Sequence, residues 1–208
     1  MPIAILFSYY IARKKLASGV FQTILFLPTI ISSVVMVFLF SYFTDSAIPA
    51  MMKLFDYQIN PLLGNMNTQW SVVIFYNIWV SFGTNVLLFV GAISGISEEI
   101  FESARLDGVN PVTELFYIVL PLVFGTISTF IIVGLANLFV DNAALYSFFG
   151  PSAVTPTIGY YLYKDVMEGT ASRTEYSYLS AAGLTFSVII IPITFLVRWL
   201  LEKVNPDV

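Results

Sequence analysis

Long uncharged runs alternate with short charged segments along this chain. About 29 uncharged residues lie between Lys15 and Asp45, and about 41 between Asp56 and Glu98. Glu114 to Asp141 and Glu175 to Arg198 leave about 26 and about 22. A bilayer core takes about 20 mostly apolar residues in a helix, so each run holds one span. The spans are predicted at about 20–43, 70–94, 115–137 and 176–198. The early part of the second run, YQINPLLGNMNTQ, is broken by Pro61, Gly64 and several Asn and reads as loop. Its span therefore starts near Trp70, an interfacial residue type. The opening stretch, MPIAILFSYYIA, is too short to cross alone, and no basic region precedes it as in a signal peptide. Residues 1–12 read as the last half of a helix whose beginning lies outside this chain, so the sequence is expected to be N-terminally incomplete. Lipid exposure leaves only helices or closed barrels, and the spans lack the alternation of barrel strands. The predicted fold is all-α: one polytopic helical membrane domain over residues 1–208.

Composition agrees with lipid as the solvent. The chain is 58% hydrophobic and 11% charged, with 19 Phe and 12 Tyr, whereas a soluble domain is typically about 25% charged. Two absences narrow the chemistry. Without Cys there are no disulfides, thiol nucleophiles or zinc thiolates, and without His there is no Ser–His triad. No P-loop pattern occurs, and a net charge of −4 without a basic cluster argues against nucleic acid. Catalysis by this chain, and a metal or cofactor of its own, are not expected.

The charges gather in one insert, EEIFESARLDGVNPVTELFYIVLP, residues 98–121. Ser97 suits an N-cap, Glu98 and Glu99 put negative charge at the positive end of a helix, and Arg105 complements its other end. Asp107-Gly108 supplies a left-handed closing turn. Asn110-Pro111 then restarts a helix, with Asn as cap and Pro at the first helical position. The first helix has about nine residues, which is marginal alone in water and needs a packing partner. Ile96, Ile100 and Ala104 at i, i+4 spacing, with Phe101 beside them, form a small apolar face. That face rests either on the chain's own helix ends or on another protein; spacing does not choose. With Arg13, Lys14 and Lys15 taken as inside, Arg105, Arg198 and Lys203 fall inside too, and only Lys53, Lys164 and Arg173 outside. The positive-inside preference thus places the loop at about 96–113 on the cytoplasmic side.

ESARLDGVNPVTELFYIVLP resembles the EAA loop of ABC-importer permeases, roughly E-A-A-x-x-D-G-A followed by F-x-x-I-x-L-P. Glu102, Ala104, Asp107, Gly108, Phe116, Ile118, Leu120 and Pro121 carry the match, while Ser103 and Val109 stand where Ala is usual. GVFQTILFLP, with Phe21 and Leu27-Pro28, Trp79, and FFGPSAVTPTIGYYLYKDVM resemble the maltose-type carbohydrate branch. In the last of these Phe149 replaces the first Gly of a GGP-x-x-x-T segment, leaving Gly150-Pro151 and a downstream Thr. The resemblance covers essentially the whole chain and begins about one and a half spans late.

The resemblance implies a permease-like fold with a cytoplasmic coupling helix in a bacterial or archaeal cell membrane. It implies a second permease subunit, separate cytoplasmic ATPase subunits that hold ATP and Mg, and an extracytoplasmic solute-binding protein. Ile100, Phe101, Ala104 and Leu106 would give apolar contacts to the ATPase, Glu102 a polar one, and Asp107-Gly108 the turn. The implied solute is a sugar or oligosaccharide. A permease for a non-sugar solute, or a non-transporting structural or remnant membrane protein, stays open.

Polar residues inside lipid usually face protein or water. Asn77, Ser81 and Asn85 at i, i+4, i+8 share one helix face, where they either line a solute pathway or serve as interhelical glue. Trp79 either stacks on a sugar face or packs among aromatics. Asn137, at the end of the next span, is a candidate for an outer mouth or an ordinary loop residue. Gly91 and Gly95 form a GxxxG that suggests a close helix crossing. Pro28, Pro121 and Pro192 are expected to kink their spans.

Overall fold

The computed structural model describes residues 1–14, 17–153, 156–168 and 173–204, the last stretch with its side chains from Tyr176 on. Lys15, the side chain of Arg173 and the downstream Thr at position 155 therefore lie outside the described residues. Among those described, every regular element is helical. In chain order they are α1 Pro2–Ala12, α2 Ser18–Ile30, α3 Ser33–Lys53, α4 Met66–Ser94, α5 Glu98–Leu106, α6 Pro111–Leu122, α7 Phe124–Ala136, α8 Leu145–Phe149, α9 Ile158–Met167 and α10 Arg173–Val204. Three of these, α3, α4 and α10, are long and apolar enough to cross a membrane. The bent pair α6–α7 makes a fourth if it is one span.

Four expectations change. The span expected at 20–43 is two helices parted at Ile31-Ser32, with Pro28 inside the last turn of α2 and Ser32 at the N-cap of α3. The helix expected to end at 43 continues as α3 to Lys53 through a π turn at Phe43–Ala47. The span expected at 115–137 is bent by 64° at Val123. A second π turn, Leu115–Val119, lies within α6. Each π turn contains the residue four before a proline, Asp45 before Pro49 and Tyr117 before Pro121. A proline supplies no N–H to that carbonyl and its ring crowds it, and a wider turn relieves both. Pro192 leaves α10 unbroken.

The single domain of the sequence reading divides into two compact units. The first comprises 1–28, 82–136 and the stretch from 190 on; the second comprises 29–81 and 137–189. In the first, Ala4, Ile5 and Ile11 of α1, Val86, Phe89 and Ile93 of α4, Phe101 of α5 and Leu115, Val119 and Val123 form one buried cluster. Ser8 is fully buried and its hydroxyl reaches the carbonyls of Ala4 (2.6 Å) and Val86 (3.0 Å), joining α1 to α4. Gly83 of α4 lies against the carbonyl of Leu25 in α2, where a Cβ would overlap it. A close helix crossing therefore lies at Gly83. Gly91, half of the expected GxxxG, has open space beside it and lines an open groove of about 750 Å³.

The second unit is built on aromatics. Phe40 of α3 lies 5.0 Å from Tyr76 of α4, and Tyr76 meets Phe148 of α8 edge-on at 4.9 Å. Leu63, Val73, Leu145 and Tyr160 make a second buried cluster. The loop before α4 is held by Asp45, whose carboxylate accepts from the Leu63 N–H at 2.8 Å. The Tyr160 hydroxyl donates to the Gly150 carbonyl at 2.8 Å, closing the segment before α9.

Candidate functional site

The insert folds as its local chemistry dictates. The Ser97 hydroxyl accepts from the Glu99 N–H at 3.3 Å, capping the nine-residue α5. At its other end Gly108 takes φ +73°, and two hydrogen bonds run back into the helix: Val109 N to Ala104 O at 3.0 Å and Gly108 N to Arg105 O at 3.1 Å. This pair is a Schellman closure, which a left-handed residue makes possible. Asn110 accepts from the Thr113 N–H at 2.8 Å and Pro111 opens α6.

The coupling candidates divide between two faces. Phe101 and Ala104 are 3% and 5% exposed and point into the chain's own interior. Their side chains pack within the chain's own unit, Phe101 among the residues of the buried cluster of α1, α4 and α6. Ile100 remains 40% exposed and Leu106 90% exposed. Glu102, Asp107 and Gly108 are exposed with them. Of the apolar contacts expected, Ile100 and Leu106 are the free ones.

Behind α5 stands a group that sequence reasoning missed. The Arg13 guanidinium, from the turn after α1, makes a two-pronged ion pair with Glu114 of α6: Nε to Oε1 at 3.0 Å and Nη2 to Oε2 at 3.2 Å. Both side chains are buried, 9% and 5% exposed. The Tyr9 hydroxyl donates to the same carboxylate at 2.7 Å. The guanidinium lies 4.0 Å over the Phe101 ring, and its Nη1 is 3.7 Å from Glu98 on the first turn of α5. One cation thus touches α5 at two residues and α6 at a third. In the sequence Arg13 served only as a topology marker and Glu114 as one charge among many. The available signal was a carboxylate placed in the first turn of an otherwise apolar span.

The pathway candidates fare unevenly. The Asn77 amide donates to Val73 O at 2.9 Å and to Ala143 O at 3.0 Å, so both its protons serve the second unit. The segment it holds is strained, with Ala143 and Ala144 at φ +50° and +58°, and Asp141 and Asn142 accept from their N–H groups. Trp79 is half-buried and packs near Phe40, 6.1 Å between centroids. Ser81 is exposed, Asn85 half-buried, and Asn137 exposed beyond the end of α7. Within each unit these residues are not drawn into one cluster.

Over residues 1–208 the chain matches the family described as binding-protein-dependent transport system inner membrane component. It belongs to that family. The permease, a multi-pass membrane protein of the kind that forms the non-catalytic component of ABC transporters, has relatives over most of its length. It is 28% identical to a probable ABC transporter permease protein of Mycoplasma genitalium over 99% of this chain and 67% of that one. It is 22% identical to the arabinooligosaccharides transport system permease protein of Bacillus subtilis (94% and 64% covered). With the sn-glycerol-3-phosphate transport system permease protein of Yersinia pseudotuberculosis the identity is 28%, with 81% and 60% covered. The chain thus spans about two thirds or less of the length of these relatives. Its fold matches a bacterial ABC transporter involved in the import of the acidic polysaccharide alginate, with a TM-score of 0.77 at 21% identity, over 98% of this chain and 73% of that one.

Proposed function

We propose that this permease forms half of the solute pathway of an ATP-driven importer and is moved by a separate ATPase subunit that grips the loop 98–121. The observation that carries the proposal is the division of α5. A nine-residue helix, too short to persist alone, is fixed on one side by Phe101 and Ala104 and presents Ile100, Glu102 and a 90% exposed Leu106 on the other. Ile100 and Leu106 are apolar surface left available to a partner on a short capped helix outside the spans. ATP and Mg then belong to the ATPase, on the cytoplasmic side, and the permease contributes motion of packed helices rather than chemistry. A second permease subunit would complete the pathway. An extracytoplasmic solute-binding protein would load it; a solved transporter of this fold is described in complex with an alginate pentasaccharide-bound periplasmic protein.

A sugar or oligosaccharide is the proposed solute, supported by the arabinooligosaccharide relative. The sn-glycerol-3-phosphate relative favours a second reading, a small phosphorylated solute. Reconstitution with the co-purifying subunits, followed by uptake of labelled arabinotriose and sn-glycerol 3-phosphate, separates the two. Uptake of arabinotriose alone supports the sugar reading, and uptake of the phosphate compound alone overturns it. If no ATPase co-purifies, the importer reading itself fails.

A further inference from the structure

We infer that Arg13 and Glu114 are positioning residues that fasten the coupling helix to the body of the permease, so that a push on α5 is carried into α1 and α6. The inference rests on the importer reading above. Its basis is the placement of one buried cation. α5 is flanked by two turns, Gly95–Ser97 before it and Asp107–Asn110 after it, and only the buried Phe101 and Ala104 seat it by apolar packing. The Arg13 guanidinium adds a polar hold to that packing: it lies 4.0 Å over the Phe101 ring in the middle of α5 and 3.7 Å from Glu98 at its start. The same group is paired with Glu114 at 3.0 Å and 3.2 Å in the first turn of α6. The planar fork suits a carboxylate in two-point contact and an aromatic face together, which a lysine ammonium cannot match. Tyr9 adds a third hold on the carboxylate, one turn before Arg13 in α1. Three elements therefore meet on one ion pair, directly behind the face proposed to meet the ATPase.

Removing one partner alone leaves a buried charge without its counterion and would disturb folding whatever the pair does. The double variant Arg13→Met, Glu114→Gln avoids this. Met keeps an apolar contact with the Phe101 ring, and Gln still accepts from the Tyr9 hydroxyl. Assembly with the ATPase is measured by co-purification. Coupling is measured as the stimulation of ATP hydrolysis by binding protein loaded with arabinotriose or sn-glycerol 3-phosphate. The inference expects the double variant to assemble as wild type and to lose about tenfold or more of the stimulation. Wild-type stimulation in the double variant would overturn it and leave a purely structural role. If that variant does not assemble, Arg13→Lys is read in its place, since it keeps the charge and loses the fork. Reduced stimulation at full assembly then supports the inference, and unchanged stimulation overturns it. Absence of stimulation in the wild type by either compound would overturn the importer reading and this inference with it, a result distinct from the others.

Discussion

Leu106→Ala and Phe101→Ala should do opposite things, although the residues lie five apart on one short helix. Leu106 is 90% exposed, so almost none of its surface is used by the permease itself. Leu→Ala removes three carbons, each worth about 0.8 kcal/mol when buried, and incomplete burial brings the loss of docking to about 2 kcal/mol. That corresponds to an affinity for the ATPase lower by about 30-fold. An exposed substitution of this kind changes the stability of the permease by no more than about 0.5 kcal/mol. Phe101 is 3% exposed and carries the Arg13 guanidinium on its ring. Its truncation should cost the permease itself about 3–5 kcal/mol. Binding of the ATPase to permease in nanodiscs, titrated beside thermal unfolding of the permease alone, gives both quantities. Should Leu106→Ala bind the ATPase like wild type, with Phe101→Ala fully stable yet unable to bind, the assignment of inner and outer faces is refuted.

Three further outcomes follow from single contacts. Gly108→Val places a β-branched residue at φ +73°, so the Schellman closure should open and coupling fall while helix insertion, followed by protease protection, is unchanged. Gly83→Ala sets a methyl against the Leu25 carbonyl and should destabilise the first unit by about 1–3 kcal/mol, seen as a lower unfolding temperature in detergent. Asn77→Leu removes both amide donors from Val73 O and Ala143 O. It should lower stability by about 1–3 kcal/mol in the same unfolding assay, and a normal unfolding temperature with altered solute selectivity would instead return Asn77 to the pathway.

What was legible in the sequence was local. Ser97, Gly108, Asn110 and Pro111 act within a few residues of themselves, and each performs the role that its chemistry announces. Gaps between charges marked where apolar helices lie, because burying a charge in lipid is costly, but not where the first run breaks or the third bends. The orientation of α5 could not be read. Ile100 and Ala104 share a spacing, yet the first is exposed and the second buried, since the contact that decides comes from helix ends far away in the chain. Arg13 and Glu114 are 101 positions apart, and Asn77 and Ala143 66 apart. The π turns were equally hidden: Pro121 announced a bend, found two residues on at Val123, but not the wider turns before Pro49 and Pro121. Among pathway candidates a polar stripe showed where polarity lies, not whether a neighbouring carbonyl already takes its protons.

That an ATPase grips the loop 98–121 by its helix α5 can be tested directly because the chain has no cysteine. Single cysteines at Leu106 and at Tyr117, both largely exposed at 90% and 79%, carry a short bifunctional crosslinker in native membranes. A crosslink should form from position 106 to the co-expressed ATPase and be lost or changed on adding MgATP, with none from position 117 on the apolar α6. No crosslink from position 106, or equal yields from both positions, would contradict it.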